Sequence, residues 1–148
     1  MLAGKGYVVL NNQTIEALTQ YESFSDPALE STTSDGWVVK NNFPYTTTVK
    51  EAGTYVLDFS AELGQSKAAK NVGFMVQWRE GTSGAWTTIS ENIAGLGAAN
   101  TFEYRTGFGE ITISTNTVIQ VQLLWGYTIE TGVGQIKNAS IKLGRKGD

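Results

Sequence analysis

The chain contains no cysteine and no histidine. Without cysteine there can be no disulfide, no thiolate zinc site and no sulfur nucleophile. Without histidine, the commonest general base and the commonest transition-metal ligand are missing together. Charge is sparse as well: 17% of the residues are charged, where soluble domains usually carry roughly 25%. The formal net charge of −3 offers no global attraction to nucleic acid or to an anionic membrane, both of which favour basic surfaces. A local cluster near the carboxyl end, Lys137, Lys142, Arg145 and Lys146, reads as a solvated tail, not a phosphate site.

Long apolar runs are absent too. None approaches the ~20 residues that cross a bilayer, and the run Tyr7–Leu10 is too short for a signal-peptide core. The expectation is a protein made in the cytoplasm without a membrane partner. The Asn-x-Ser/Thr matches at Asn12 and Asn138 are then coincidental.

What the chain does have is glycine, 17 copies in 148 residues, and 41% hydrophobic residues, enough for one buried core. In AGTYVLDFSAEL, Tyr55, Leu57, Phe59, Ala61 and Leu63 alternate with Val56, Asp58, Ser60 and Glu62. A period of two is the mark of a strand with one buried and one wet face. The same alternation recurs in VGFMVQWRE, with Val72, Phe74, Val76 and Trp78 in phase, and in TVIQVQLLWGY, with Ile119, Val121, Leu123 and Trp125. In TFEYRTGFG it aligns Phe102, Tyr104 and Phe108, ahead of Ile111 and Ile113. Trp86 and Ile89 break strict alternation, which predicts a bulge; Gly81 to Gly84 predict a turn.

Turn residues separate these runs every 8 to 12 positions or so, the spacing of a sandwich or barrel. The expected fold is all-β, an antiparallel β-sandwich of about nine strands in a jelly-roll-like arrangement, occupying residues 36–148. Residues 1–35 read as an irregular amino-terminal arm: a short strand at GYVVL, a helical turn in NNQTIEALTQYE with Ile15 and Leu18 on one side, then the turn formers SDPALESTTSDG.

Candidate chemistry is thin. Serine catalysis would need lysine or a carboxylate as base, and no S-x-x-K or G-x-S-x-G spacing occurs. Glycoside hydrolysis needs only two acids, and Asp58, Glu62, Glu80, Glu91, Glu103 and Glu110 are available. Asp58 and Glu62 lie roughly 13 Å apart on one strand, too far for either standard separation. No D-x-D-x-D-G calcium loop appears, and Gly132-Val133-Gly134 is a turn and not a phosphate loop. No catalytic residue, cofactor or metal ligand is therefore expected. Of the four tryptophans, Trp78 and Trp125 are in phase with the core; Trp37 and Trp86 are the candidates for a subunit or glycan contact.

The segment DGWVVKNNFPYTTTVKEAGTYVLDFSAELGQSKAAKNVGFMVQWREGTSGAWTTI, with EYRTGFGEITIST, TVIQVQLLWGY and GQIKNASIKLGRKGD, resembles small structural proteins of tailed bacteriophages. Its marks are the aGtY strand, the v.yrvqwr-like strand with a G-x-x-G-x-W turn, and the short basic tail. More distantly it resembles the C1q-like and tumour-necrosis-factor-like jelly rolls, which assemble as trimers. The resemblance implies a non-enzymatic virion protein, a homotrimer decorating the outer head surface as a cement protein, with a major capsid or other virion protein as its partner. Tyr7, Val8, Val9 and Leu10 are the candidate capsid contact. A head- or tail-fibre domain is the alternative, as is a carbohydrate-binding module for a host surface glycan; a glycan hydrolase ranks below both.

Overall fold

The structure, a computed structural model, describes residues 8–10, 13–15, 21–33, 36–67, 71–95, 99–126 and 132–146. In chain order the strands are β1 (Val8–Leu10), β2 (Gln13–Ile15), β3 (Glu22–Asp26), β4 (Glu30–Thr32), β5 (Trp37–Val39) and β6 (Tyr45–Thr46). The longer ones follow: β7 (Gly53–Gln65), β8 (Asn71–Glu80), β9 (Thr87–Gly95), β10 (Phe102–Ile113), β11 (Ile119–Gly126) and β12 (Gly134–Arg145).

Two antiparallel sheets form a sandwich. One has the order β10-β7-β12-β3, with β4 also pairing β12; the other has the order β5-β11-β8-β9, with β6 also pairing β11. After the β8–β9 hairpin the chain alternates sheets, so β10 and β12 join one and β11 the other. Most neighbours are therefore far apart in sequence, and each pairing has to be held by the core they enclose.

That core follows the alternation in the sequence. Tyr55, Leu57, Ala61 and Leu63 are fully buried and Phe59 nearly so. Across the sandwich they meet Val72, Phe74 and Val76 of β8 and Ile119, Val121, Leu123 and Trp125 of β11. The Phe59 and Phe74 rings touch edge to face, with centroids 5.8 Å apart, a favoured aromatic geometry. Burying each such side chain stabilises the fold by about 1.5–3 kcal/mol. The bulge expected near Ile89 is present: Val76 pairs Ser90 and Gln77 pairs Thr88, leaving Ile89 as the extra residue. Gly81 and Gly84 both take positive φ, 70° and 96°, as the expected turn requires.

The first 35 residues depart from expectation. Gln13–Ile15 is a strand that pairs Val8–Leu10, with Leu10 opposite Gln13, where a helical turn was expected; a β-branched partner segment nearby outweighs the weak helical spacing. Residues 16–20 and Tyr7 lie outside the described residues. From Glu22 the chain belongs to the sandwich: β3 pairs β12 from Ala139↔Asp26 to Leu143↔Glu22, and β4 pairs it from Gly134↔Thr32 to Ile136↔Glu30. Ten strands thus build the two sheets among the described residues, and the sandwich starts before residue 36. The turn-forming composition hid these strands because only Phe24 of β3 packs against the core.

Buried ion pairs hold this polar segment instead. Lys40 is fully buried, with its Nζ 2.7 Å from Asp26 Oδ2 and in contact with Glu30. Lys50 is also buried, with its Nζ 2.8 Å from Glu22 Oε1. Each lysine follows a strand that pairs β11 and each carboxylate lies on β3 or β4, so the two clusters pin one sheet to the other.

Candidate functional site

The second face of the β10-β7-β12 sheet is the one that looks outward. Ile111 and Ile113 are inward and 2% exposed, so alternation sends the even-numbered residues of β10 to the opposite side. Tyr104 is 69% and Phe108 53% exposed. The sequence aligned these two aromatics with Phe102 as one strand face, and the structure makes that face the solvent side. The signal was legible: Phe108 and Ile111 are three residues apart, and an odd spacing along a strand puts them on opposite faces.

Register then decides what surrounds the rings. Phe108 pairs Asp58, and Asp58 pairs Lys142, making one row across three strands. Two residues along, Thr106 pairs Ser60 and Ser60 pairs Ser140. Beyond that, Tyr104 pairs Glu62, whose carboxylate accepts the Asn138 side-chain amide. A row of short hydroxyl side chains thus runs between rows that carry bulk. The result is an open trough of about 500 Å³ lined by Asp58, Ser60, Tyr104, Thr106, Phe108 and Lys142, with Phe59, Gly107 and Ser140 completing it. Gly107 lets the strand settle over the core: a Cβ there would meet the Phe59 ring at 2.5 Å.

The two tryptophans singled out from sequence do not share this trough. They belong to opposite edges of the other sheet, Trp37 in β5 and Trp86 immediately before β9. Both are half-buried. The Arg79 guanidinium covers the Trp86 ring at 4.2 Å from its centroid and is itself held by Gln120 and the Gly84 carbonyl. That ring face is already taken. Trp125 is core, as the phase of β11 requires, and Trp78 packs against the core edge.

The acids are dispersed. Glu80 accepts from the Ser114 amide at 2.6 Å, Glu110 pairs with Lys146 at 2.8 Å, and Glu103 lies 4.0 Å from Arg105. Glu91 is exposed on β9. Among the residues lining the trough, Asp58 is the single carboxylate, so no acid pair faces across it. Among the described residues no three acidic side chains converge as a metal site would require. The carboxyl-terminal cations separate as well: Lys137 covers the Phe102 ring, Arg145 lies 3.7 Å from Glu51, Lys146 pairs with Glu110, and Lys142 alone enters the trough.

Three of the four perturbed ionisations, Asp26, Glu22 and Tyr45, sit in the clusters between the sheets, and Tyr55 lies beside Glu51 and Arg145. The Lys40 hydrogen bond, against the opposing effect of burial, holds Asp26 below its ordinary value. Burial would raise Glu22, but hydrogen bonds from Lys50, Tyr45 and Thr48 outweigh it and lower it. Tyr45 is pushed up to about 12 by burial and by Glu22, and Tyr55 to about 12, chiefly by burial. Asp26, Glu22 and Tyr45 tie separate segments of the chain together, while the Tyr55 hydroxyl donates to the Glu51 carbonyl at 2.6 Å.

No protein-family model matches the chain, and no curated protein matches it in sequence. Solved structures share its architecture. A chain of the infectious bursal disease virus Gx strain superposes with a TM-score of 0.56 at 9% identity, over 97% of this chain and 37% of that one. A chain of the same virus's VP2 subviral particle gives 0.53 at 10% identity, over 90% of this chain and 34% of that one. The TNF protein Eiger from S. frugiperda gives 0.50 at 9% identity, over 87% of this chain and 94% of that one. The fold is a jelly roll. This jelly roll spans little more than a third of the viral chains it matches and nearly all of the Eiger chain; at these identities the likeness is one of fold alone.

Proposed function

We propose that this jelly roll is a non-enzymatic protein of a tailed-phage virion, a homotrimer that decorates the outer surface of the head and stabilises the shell. The observation that supports a contact role on the particle surface is the outward face of β10, where Tyr104 and Phe108 stand 69% and 53% exposed in a sheet whose other face is already the core. Large aromatic side chains grouped on an otherwise polar face mark a surface that meets something. Such a face suits a protein that works by contact.

The phage setting rests on the sequence resemblance; the viral chain that superposes at a TM-score of 0.56 shares the fold. Shell stabilisation follows from mass action: a protein that binds assembled capsid proteins and not separated ones adds about 2.7 kcal/mol per site at a hundredfold excess over Kd. The capsid contact in this reading is the amino-terminal segment that carries β1, whose Val8–Leu10 backbone could add to a neighbour's sheet edge.

Imaging of the intact particle tests this directly. The expected result is copies of this chain on the outer head surface, with a solution mass three times the 16.0 kDa chain. Removing residues 1–20 is expected to abolish particle binding while the sandwich still folds. A monomeric mass well above micromolar concentration, or a position at a fibre tip, would overturn the decoration reading.

A further inference from the structure

We propose that the trough on the outer face of β10, β7 and β12 is a saccharide-binding site that takes pyranose units of a surface polysaccharide. The inference builds on the reading of the chain as a virion surface protein and assigns that face its ligand.

Shape comes first. Tyr104 and Phe108 are four residues apart on one strand, about 13 Å at strand rise, and Thr106 lies between them. The Thr106–Ser60–Ser140 row forms a low floor, while Phe108, Tyr104 and Lys142 rise around it. A volume of about 500 Å³ falls within the range of small-ligand sites, roughly 300–1,000 Å³.

Chemistry then selects the ligand. A pyranose has apolar C–H faces and a rim of hydroxyls. Exposed aromatic rings offer flat apolar platforms to the faces. Asp58 accepts hydrogen bonds from hydroxyls, Lys142 donates to them, and the Ser60, Thr106 and Ser140 hydroxyls do both. No other common ligand class wants this mixture. A wholly apolar ligand would cut off the Lys142 amine and the three hydroxyls from water. A phosphate chain would meet Asp58 in the middle of the site. An extended peptide that adds a strand would pair along the sheet edge that β10 forms, beside the trough and not across its floor on β7, which is paired on both sides. A second copy of the chain would place Asp58 and Lys142 at the centre of an interface, where charged residues are depleted.

The experiment uses the full chain and titration calorimetry with four hexasaccharide probes built from glucose, mannose, xylose and N-acetylglucosamine, with light scattering on the same samples. At least one probe is expected to bind. Tyr104→Ala and Phe108→Ala should each weaken it about three- to tenfold or more, and Asp58→Asn should weaken it with the trough's shape retained. Trp86→Ala should leave binding unchanged, and the oligomeric mass should be the same throughout. No binding of any probe up to about 10 mM would overturn the site, as would binding that ignores Tyr104 and Phe108. Loss of oligomeric mass in Tyr104→Ala or Phe108→Ala would overturn it too, by giving the face to a second copy. Particle attachment, measured separately with the same variants, tells failure of the sugar site from failure of the virion reading.

Discussion

Lys40 and Asp26 meet with 2.7 Å between Nζ and Oδ2, and the lysine is fully buried. Lys40 follows β5 in one sheet and Asp26 ends β3 in the other, so this ion pair, with Glu30 beside it, fastens the two layers. Removing one partner of a buried pair leaves an uncompensated charge, which costs about 3–5 kcal/mol. Lys40→Ala is therefore expected to lower the midpoint of thermal unfolding by ~10 °C or more. A change of under about 2 °C would show that the pair contributes little beyond its own desolvation.

Acid should loosen the same fastening. Asp26 and Glu22 both lie below their ordinary values of 3.8 and 4.5 in the folded chain. A depressed carboxylate contributes stability that is fully present above its unfolded pKa and lost as pH falls through the folded one. Urea midpoints are expected to be steady down to about pH 5 and to fall below it, with a smaller acid loss in Asp26→Asn. A flat profile to pH 3 would contradict the role given to these carboxylates.

At the alkaline end the sign reverses. Tyr45 and Tyr55 are raised from 10.0 to about 12, so their contribution is complete below pH 10 and lost as pH climbs through the folded value. An ultraviolet titration should show a late-ionising phase that loses one tyrosine in Tyr45→Phe and one in Tyr55→Phe.

Gly107 tests how closely β10 lies on the core. A Cβ at this position would stand 2.5 Å from the Phe59 ring, and overpacking of that sort costs about 1–3 kcal/mol. Gly107→Ala should reduce the denaturation free energy by that amount. Thr106→Ala, one residue along and on the outer face, should change it by less than about 0.5 kcal/mol.

Trp86→Ala separates the tryptophan expected from sequence to be a contact from the rings that line the trough. Its loss removes the stacked Arg79, 4.2 Å from the ring centroid, an interaction worth about 0.5–1 kcal/mol. A small drop in stability without change in oligomeric mass is expected. A large change in mass would return Trp86 to the subunit contact.

The sequence by itself determined which residues of each long strand face inward, because alternation is a property of a few consecutive residues: Tyr55, Leu57 and Phe59 on β7, Ile119, Val121 and Leu123 on β11. It also carried the parity that sends Tyr104 and Phe108 away from Ile111 and Ile113. It did not carry the neighbours. That Phe108 stands beside Asp58 and Asp58 beside Lys142 depends on β7 lying between β10 and β12, strands distant in the chain. Such an order is settled by how all the strands together enclose one core, not by any local pattern. The same collective packing buried Lys40 and Lys50 against Asp26, Glu30 and Glu22. Local patterning set the faces; only tertiary pairing could set which side chains share a row, and so where a binding surface lies.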